Sequence, residues 1–153
     1  MSRFFEDYPV GAVFELGTFS LSERDIIAFA KRYDPQPMHM DPARAQEGPF
    51  GGVIASGWHT VARMMRLIAE NFLPQEGLPS PGIDELRWLL PVRPDETLSV
   101  RATVTAARRS RTRPDRGLIH GFVEVLNQNG EPVLTMRPMN FIPCRPESLA
   151  PNA

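Results

Sequence analysis

Two side chains that could exchange protons with water lie five positions apart in the sequence. They are the carboxylate of Asp34 and the imidazole of His39, and two prolines, Pro35 and Pro37, lie between them. Because proline fixes its own φ and disfavours the helical conformation in the residue before it, this segment is predicted to be extended and rigid. A carboxylate and an imidazole on such a segment can face one pocket and share a water molecule, which indicates general acid–base chemistry.

A backbone group that could stabilise negative charge is predicted at Gly57, the first residue of a long helical pattern. With no side chain in the way, the N–H of Gly57 could reach a carbonyl oxygen, and the helix dipole would stabilise an enolate there. Asp34, His39 and Gly57 also have common structural roles: an aspartate caps or follows a helix, a histidine packs or lies on the surface, and a glycine opens a helix. The hypothesis of an active site therefore depends on the combination of the three.

The periodicity of apolar residues predicts the elements that must position these groups. A first helix is predicted from Ser22 to Tyr33, and it ends there because Asp34 precedes a proline. A second, longer helix is predicted over Gly57–Phe72. The remaining predicted elements are a strand at 12–20, a short helix at Ala43–Glu47 that Asp41 caps, and strands at Ile83–Leu90, Thr97–Ala107, Gly117–Asn127 and Pro132–Ile142.

The order of these elements predicts an α+β domain, because helices come early and antiparallel strands come late. The residues Asn127-Gln128-Asn129-Gly130 are a strong turn signal between the last two strands, and the arginine-rich stretch 108–116 is a second predicted turn. The long helix is apolar around much of its circumference, so a sheet of about five strands is predicted to wrap around it. The two edges of such a sheet favour pairing with a second copy of the chain.

The length and composition fit one globular domain, 1–153, with residues 143–153 expected to form a loose tail. A single cysteine, Cys144, excludes an internal disulfide and a cysteine-cluster zinc site, and no metal is expected. No apolar run approaches the roughly 20 residues that span a membrane, the first residues do not read as a secretory signal, and the net charge is −1. We therefore expect a cytoplasmic protein without membrane or nucleic-acid partners.

The combined motif resembles the MaoC-like dehydratases and (R)-specific enoyl-CoA hydratases, a family with the hot-dog fold. The family pattern is Asp-x-Asn-Pro-x-His-x-Asp, then a loop rich in Phe and Gly, then Ile-Ala-x-Gly. The matching residues are Asp34-Pro35-Gln36-Pro37-Met38-His39-Met40-Asp41, Phe50-Gly51-Gly52 and Ile54-Ala55-Ser56-Gly57. Farther along, the stretch from Leu86 to Leu98 is similar to the family's strand with an aromatic residue, Pro-Val and Pro-Gly-Asp-Thr-Leu. The resemblance extends over residues 5–142.

The resemblance implies a hydro-lyase that adds water to an enoyl-CoA thioester or removes it from a 3-hydroxyacyl-CoA thioester. Asp34 and His39 match the catalytic pair that holds and activates the water, and Gly57 matches the glycine whose N–H polarises the thioester carbonyl. We expect Asp34 to take the proton from water and His39 to deliver a proton to C2. The residues predicted to bind the substrate are Gln36, Phe50, Ser56 and Trp58.

The same resemblance implies a homodimer or a higher even-numbered oligomer, with the pocket at or near the subunit interface. The expected partner is an acyl-CoA thioester, and no cofactor is expected besides the coenzyme A of that substrate. Two residues depart from the family pattern: Gln36 replaces an asparagine, and Tyr33 replaces a glycine before the catalytic aspartate. Neither change removes a group that transfers protons.

Two other functions stay open from the sequence alone. A hot-dog thioesterase typically carries a carboxylate on or beside the central helix, but the first turns of this helix, residues 58–63, contain no Asp or Glu. A non-catalytic subunit that binds acyl-CoA or a partner protein would keep the fold without turnover. Retention of both Asp34 and His39 favours the hydro-lyase.

Several further residues have both a functional and a structural interpretation. The arginine cluster could bind the phosphates of coenzyme A, although a solvated hairpin loop is the more common explanation. His59 could reach the mouth of the pocket or pack against the helix, and Cys144 is interpreted as inert. Four methionines could line an acyl tunnel or belong to the core: Met38, Met40, Met64 and Met65.

Overall fold

The computed structural model describes residues 3–149. Five strands and three of the four helices form in the order predicted from the sequence, and the fourth helix, Pro37–Met40, was not predicted. Two short 3₁₀ turns lie at Phe5–Asp7 and Pro146–Leu149. The helices are α1 (Glu23–Tyr33), α2 (Pro37–Met40), α3 (Pro42–Glu47) and α4 (Gly57–Asn71). The strands are β1 (Val13–Phe19), β2 (Gly82–Trp88), β3 (Leu98–Arg109), β4 (Arg116–Leu126) and β5 (Pro132–Pro143).

The five strands form one antiparallel sheet in the order β1-β3-β4-β5-β2. Strands β3, β4 and β5 are joined by the two predicted hairpin turns. Strand β2 pairs with β5 and strand β1 with β3, so these two strands are the edges of the sheet. This arrangement confirms the predicted α+β class and the sheet of five strands.

Helix α4 packs one face against the sheet and leaves the other exposed. Its buried residues include Met64 and Ile68, which are 0% and 4% exposed. On the opposite face, Trp58 and Met65 are 57% and 42% exposed. The sequence predicts that α4 is apolar around much of its circumference, but within a single chain the sheet covers only one face of this helix.

An aromatic cluster at the end of α4 fixes where this helix stops. Tyr8, Phe14 and Phe72 pack together, and the rings of Tyr8 and Phe72 meet edge to face at 5.1 Å. The hydroxyl of Tyr8 donates to the carbonyl oxygen of Phe72, which satisfies an acceptor at the helix end. Burial raises the pKa of Tyr8 to about 12, so the hydroxyl stays protonated as this donor.

The segment after α1 differs from the prediction of an extended chain. Residues Pro37–Met40 form one helical turn, and only the residues before it are extended. A proline is favoured at the first position of a helix, because its φ is already helical and its missing N–H has no partner there. Pro37 therefore starts a turn instead of preventing one, and this turn carries His39.

The prediction of a loose tail from residue 143 is wrong for the part that the structure describes. Cys144 is buried and its N–H donates to the carbonyl oxygen of Asp115. Arg145 forms an ion pair with Asp7 at 2.6 Å. Residues 150–153 of the predicted tail lie outside the described residues. Burial raises the pKa of the Cys144 thiol, which agrees with its interpretation as inert.

We expect Met64→Ala to lower the free energy of unfolding by about 2–5 kcal/mol, because it leaves a cavity between α4 and the sheet. Arg66→Ala on the exposed face of the same helix is the control, and it should cost less than about 1 kcal/mol, since it breaks only a surface ion pair with Glu70. Urea unfolding at one fixed protein concentration measures both. Equal losses for the two variants would contradict the packing of α4 described here.

Candidate active site

The end of α1 positions the Asp34 carboxylate. Ser22 caps the start of this helix by accepting from the N–H of Asp25, as predicted from the sequence. The helix ends at Tyr33, and the N–H of Asp34 still donates to the carbonyl oxygen of Ala30. The position of Asp34 at the end of α1 is thus fixed, and its side chain is directed toward the start of α4.

His39 is buried beside this carboxylate, and its ring is held in one orientation. Its Nδ1 lies 2.8 Å from the carbonyl oxygen of Ile54. Since a carbonyl oxygen only accepts, Nδ1 carries the hydrogen, and Nε2 of the neutral ring has a lone pair. Nε2 lies 3.5 Å from Oδ2 of Asp34. Two acceptors at this separation can both receive a hydrogen bond from one water molecule.

Two further side chains hold the Asp34 carboxylate. The side-chain amide of Gln36 donates to Oδ1 and the hydroxyl of Ser56 donates to Oδ2, each at 2.7 Å. The hydrogen bonds from Gln36 and then Ser56 hold the pKa of Asp34 below its ordinary value, since both stabilise the charged form. Asp34 is therefore an anion at neutral pH, and its carboxylate plane is fixed by donors on both oxygens.

The sequence predicts that Gln36 and Ser56 contact the substrate, but the structure places neither of them at the wall of the pocket. Ser56 is completely buried, and Gln36 is exposed on the outer side of Asp34. Neither belongs to the lining of the pocket. Both instead donate hydrogen bonds to the carboxylate, including the glutamine that replaces the family asparagine. The sequence showed that Ser56 precedes a helix, but it gave no signal of a bond to a residue 22 positions earlier.

Gly57 lies at the start of α4, where Trp88 packs directly against it. A Cβ atom at this position would lie only 2.3 Å from Nε1 of Trp88, so a larger residue would displace the indole. The first amides of a helix have no acceptor within the helix, and they point out of its N-terminal end. Gly57 itself lines the pocket, so its N–H is placed where a bound group could accept from it, and Trp88 forms part of the wall beside it.

These groups open onto an apolar pocket of about 410 Å³. Of the predicted site residues, it brings together Asp34, His39, Phe50, Gly57 and Trp58. The other lining residues were not predicted as site residues, and they come from loops, from the end of β2, from α4 and from β5. They are Ile54, Ala55, Thr60, Trp88, Leu89, Leu90, Pro91, Val92 and Val133.

The remaining candidates do not line this pocket. His59 is buried between α4 and α1, where its ring stacks on Phe29 with centroids 4.5 Å apart. Burial, and then the charge of Arg63, lower the pKa of His59. This confirms the packing interpretation of His59. None of the four methionines proposed for an acyl tunnel is among the lining residues, and Met64 belongs to the core.

Comparison with known proteins identifies the family. A family model described as a MaoC like domain matches residues 8–118. The chain belongs to the MaoC-like domain family. A MaoC-like dehydratase structure from Rhodospirillum rubrum is 40% identical, with a TM-score of 0.88, and the match covers 94% of this chain and 99% of that one. This likeness confirms the predicted hot-dog fold of the MaoC-like chain.

Two other solved structures are similar to this MaoC-like chain over most of its length. R-Hydratase PhaJ1 from Pseudomonas aeruginosa is 28% identical with a TM-score of 0.74, covering 94% of this chain and 88% of its own. A monoamine oxidase regulatory protein from Archaeoglobus fulgidus is 27% identical with a TM-score of 0.83, covering 95% and 97%. The family and the hydratase neighbour together support a hydratase or dehydratase in broad terms.

Within residues 3–149 of the MaoC-like domain, no helix is both long and apolar enough to cross a membrane. In the same part of the chain, no three His, Cys, Asp or Glu side chains are grouped so that they could bind a metal ion.

Removal of the amide of Gln36 by Gln36→Ala should raise the pKa of Asp34, because the larger of its two stabilising hydrogen bonds is lost. The double variant Gln36→Ala, Ser56→Ala should raise this pKa further. Since the carboxylate is then protonated at a higher pH, activity should fall off earlier as the pH is lowered. The ¹³C carboxyl signal of Asp34, followed by NMR as a function of pH, measures the shift. A pKa that does not move in the double variant would contradict the described bonds.

Proposed function

We propose that this protein is a hydratase or dehydratase that adds water across the α,β double bond of an enoyl-CoA thioester or removes it in reverse. One observation carries the proposal. Asp34 and Nε2 of His39 can hold one water molecule at the wall of an apolar pocket, beside the outward N–H of Gly57. These are the three groups that hydration of a conjugated thioester needs: two acceptors for water and a donor for the enolate oxygen.

The hydrogen bond from His39 to Ile54 changes the assignment of proton transfers made from the sequence. In the neutral ring, Nε2 can accept a proton but has none to give. An imidazole is ordinarily a stronger base than a carboxylate, and the pKa of Asp34 is lowered further by its donors. We therefore assign His39, and not Asp34, as the group that takes the proton of water. Asp34 orients the water and stabilises the imidazolium that forms.

The addition of water then needs no protein group besides Asp34, His39 and Gly57. The water oxygen bonds to C3 while one of its O–H bonds breaks and the proton moves to Nε2 of His39. The electron pair of the double bond moves toward the thioester carbonyl, and the N–H of Gly57 stabilises the resulting enolate by about 3–4 kcal/mol if it resembles other oxyanion donors. The imidazolium next gives its proton to C2, which restores the neutral ring.

The lining of the pocket suits the acyl part of such a substrate. Ile54, Trp88, Leu90 and Val92 offer an apolar surface next to the polar groups at one wall. Burial of an acyl chain against such side chains contributes about 0.8 kcal/mol for each methylene group. Coenzyme A enters as part of the substrate, and the mechanism assigns no step to a separate cofactor.

The alternatives have less support from the site. A hot-dog thioesterase typically carries a carboxylate on or beside the central helix, but the residues of α4 that line the pocket are Gly57, Trp58 and Thr60. The carboxylate beside this helix, Asp34, faces His39 instead of acting alone. A non-catalytic role is consistent with the relative in Archaeoglobus fulgidus that is called a regulatory protein. That role would not require His39 and Asp34 to face one another with the ring tautomer fixed, which favours catalysis.

We expect Asp34→Asn and His39→Ala each to lower kcat for hydration by about 10²–10⁴-fold, since each removes one of the two groups that activate the water. Asp95→Asn is a matched control for the loss of one carboxylate, because Asp95 is exposed and its φ of 64° suits asparagine. Loss of the enoyl thioester absorbance measures hydration, and a parallel assay for free thiol detects hydrolysis.

Three results would each contradict the proposal. Near wild-type hydration by both Asp34→Asn and His39→Ala would exclude the mechanism. Release of free thiol by the wild type without loss of the double bond would indicate a thioesterase. Binding of an enoyl thioester without either reaction would indicate a non-catalytic subunit.

We also propose that the protein is a homodimer in which β2 and the exposed face of α4 contact a second copy. Strand β2 is an edge of the sheet, and large apolar side chains are exposed around it. They are Trp58, Met65, Ile83, Trp88, Leu89 and Leu90. Exposed apolar surface of this kind marks interfaces, and the four of these residues that line the pocket, Trp58, Trp88, Leu89 and Leu90, would place the active site beside the second subunit.

Ile83→Lys should convert the dimer to a monomer, because it places a charge on the exposed side of the β2 edge. Val13→Lys is the matched control on the opposite edge strand, where Val13 is 56% exposed, compared with 51% for Ile83. Light scattering at micromolar concentration gives the mass of each variant. A monomeric wild type, or dissociation by Val13→Lys alone, would contradict this interface.

A further inference from the structure

A second pocket lies beneath the arginine-rich turn between β3 and β4. Its volume is about 740 Å³, and it is separate from the candidate active site. The side chains that line it are of three kinds: guanidinium groups, hydroxyls and two apolar residues. They are Arg108, Arg109, Arg111, Ser110, Thr112, Leu118 and Phe141.

The register of the sheet places this pocket far from Asp34. Arg108 pairs with Leu118, which pairs with Phe141, so the three side chains lie side by side on one face. The next residue of β4, Ile119, points to the opposite face and is completely buried in the hydrophobic core. Phe141 is also eight residues along β5 from Val133, which lines the first pocket. At about 3.3 Å per residue, Val133 and Phe141 are about 25 Å apart along β5, so the two pockets lie at different places along the strand.

The charges around the pocket are unbalanced. Arg109 forms an ion pair with Glu6, and Arg116 forms one with Asp115. Within residues 3–149, no ion pair neutralises Arg108 or Arg111, and no carboxylate is among the lining residues. Two guanidinium groups without an acid between them attract an anion, and their planar donors match the oxygens of a phosphate.

The floor of the pocket is apolar. Leu118 is 7% exposed although it lies on the outer face of the sheet, and the ring of Phe141 beside it is partly exposed. A fully hydrated inorganic anion gains nothing from such a floor. A flat apolar group attached to the anion would instead stack on Phe141 and cover Leu118, while the hydroxyls of Ser110 and Thr112 are available as further donors.

We propose that this pocket binds a sugar phosphate that carries an aromatic base, as found at the nucleotide end of many metabolites. The phosphate contacts Arg108 and Arg111, and the aromatic group lies on Phe141 and Leu118. Free nucleotides and the nucleotide end of a coenzyme A ester share this chemistry. The site is independent of the hydration chemistry, because it shares no residue with the first pocket.

Calorimetric titration of the full chain with AMP tests the proposal, with ribose 5-phosphate as the probe that lacks the base. We expect AMP to bind, and Arg108→Gln with Arg111→Gln to weaken it by at least about tenfold, since two charge-assisted contacts are lost. Arg24→Gln, Arg66→Gln is the control, because it removes the same charge from exposed helix surfaces. Phe141→Leu should weaken AMP binding but not that of ribose 5-phosphate.

Each outcome either supports or overturns the inference. Absence of AMP binding at millimolar concentration overturns it, as does equal weakening by the control pair, which would show only a general attraction of charge. Equal affinity for AMP and ribose 5-phosphate overturns the role of the apolar floor. Desulfo-coenzyme A, used as a competitor, distinguishes the two sources: competition with AMP supports the nucleotide end of coenzyme A, and AMP binding without competition supports a free nucleotide.

Discussion

The hydrogen bond from Ser56 to Asp34 connects the two parts of the chain on which the site depends. Asp34 ends α1, and Ser56 immediately precedes α4, so this bond fixes the end of one helix against the start of the other. A buried hydroxyl needs a partner, and a carboxylate partner gives a stronger bond than a neutral one. The same contact brings the carboxylate next to Gly57, where the helix exposes its first amides.

The electrostatics of the pocket follow from how each group is already bonded. Gln36 and Ser56 stabilise the anionic form of Asp34, and the carbonyl oxygen of Ile54 determines which nitrogen of His39 carries the hydrogen. An anion and a lone pair therefore face the same small space. These two acceptors cannot bond to each other, and a water molecule that donates to both would satisfy them.

In a single chain, large apolar side chains at the opening of this pocket stay exposed to solvent. The sheet covers one face of α4, and the indole rings of Trp58 and Trp88 lie exposed at the opening, in edge-to-face contact at 5.0 Å. Exposed aromatic surface is unfavourable in water, and a second copy across the β2 edge would bury it. The arginine turn between β3 and β4 instead presents charged side chains. The β2 edge and the arginine turn are therefore suited to partners of different chemistry.

The sequence by itself determined the order of the elements and the type of all except the helical turn at Pro37–Met40, because proline, capping residues and apolar periodicity act locally. It also indicated Asp34, His39 and Gly57 as candidates, since their motif is compact along the chain. It did not reveal that Gln36 and Ser56 hold Asp34, that Ile54 orients His39, or that Trp88 packs on Gly57. Only the tertiary structure decided these contacts. Apart from the local contact of Gln36, they join residues from 15 to 31 positions apart, and no local rule of spacing relates residues at such separations.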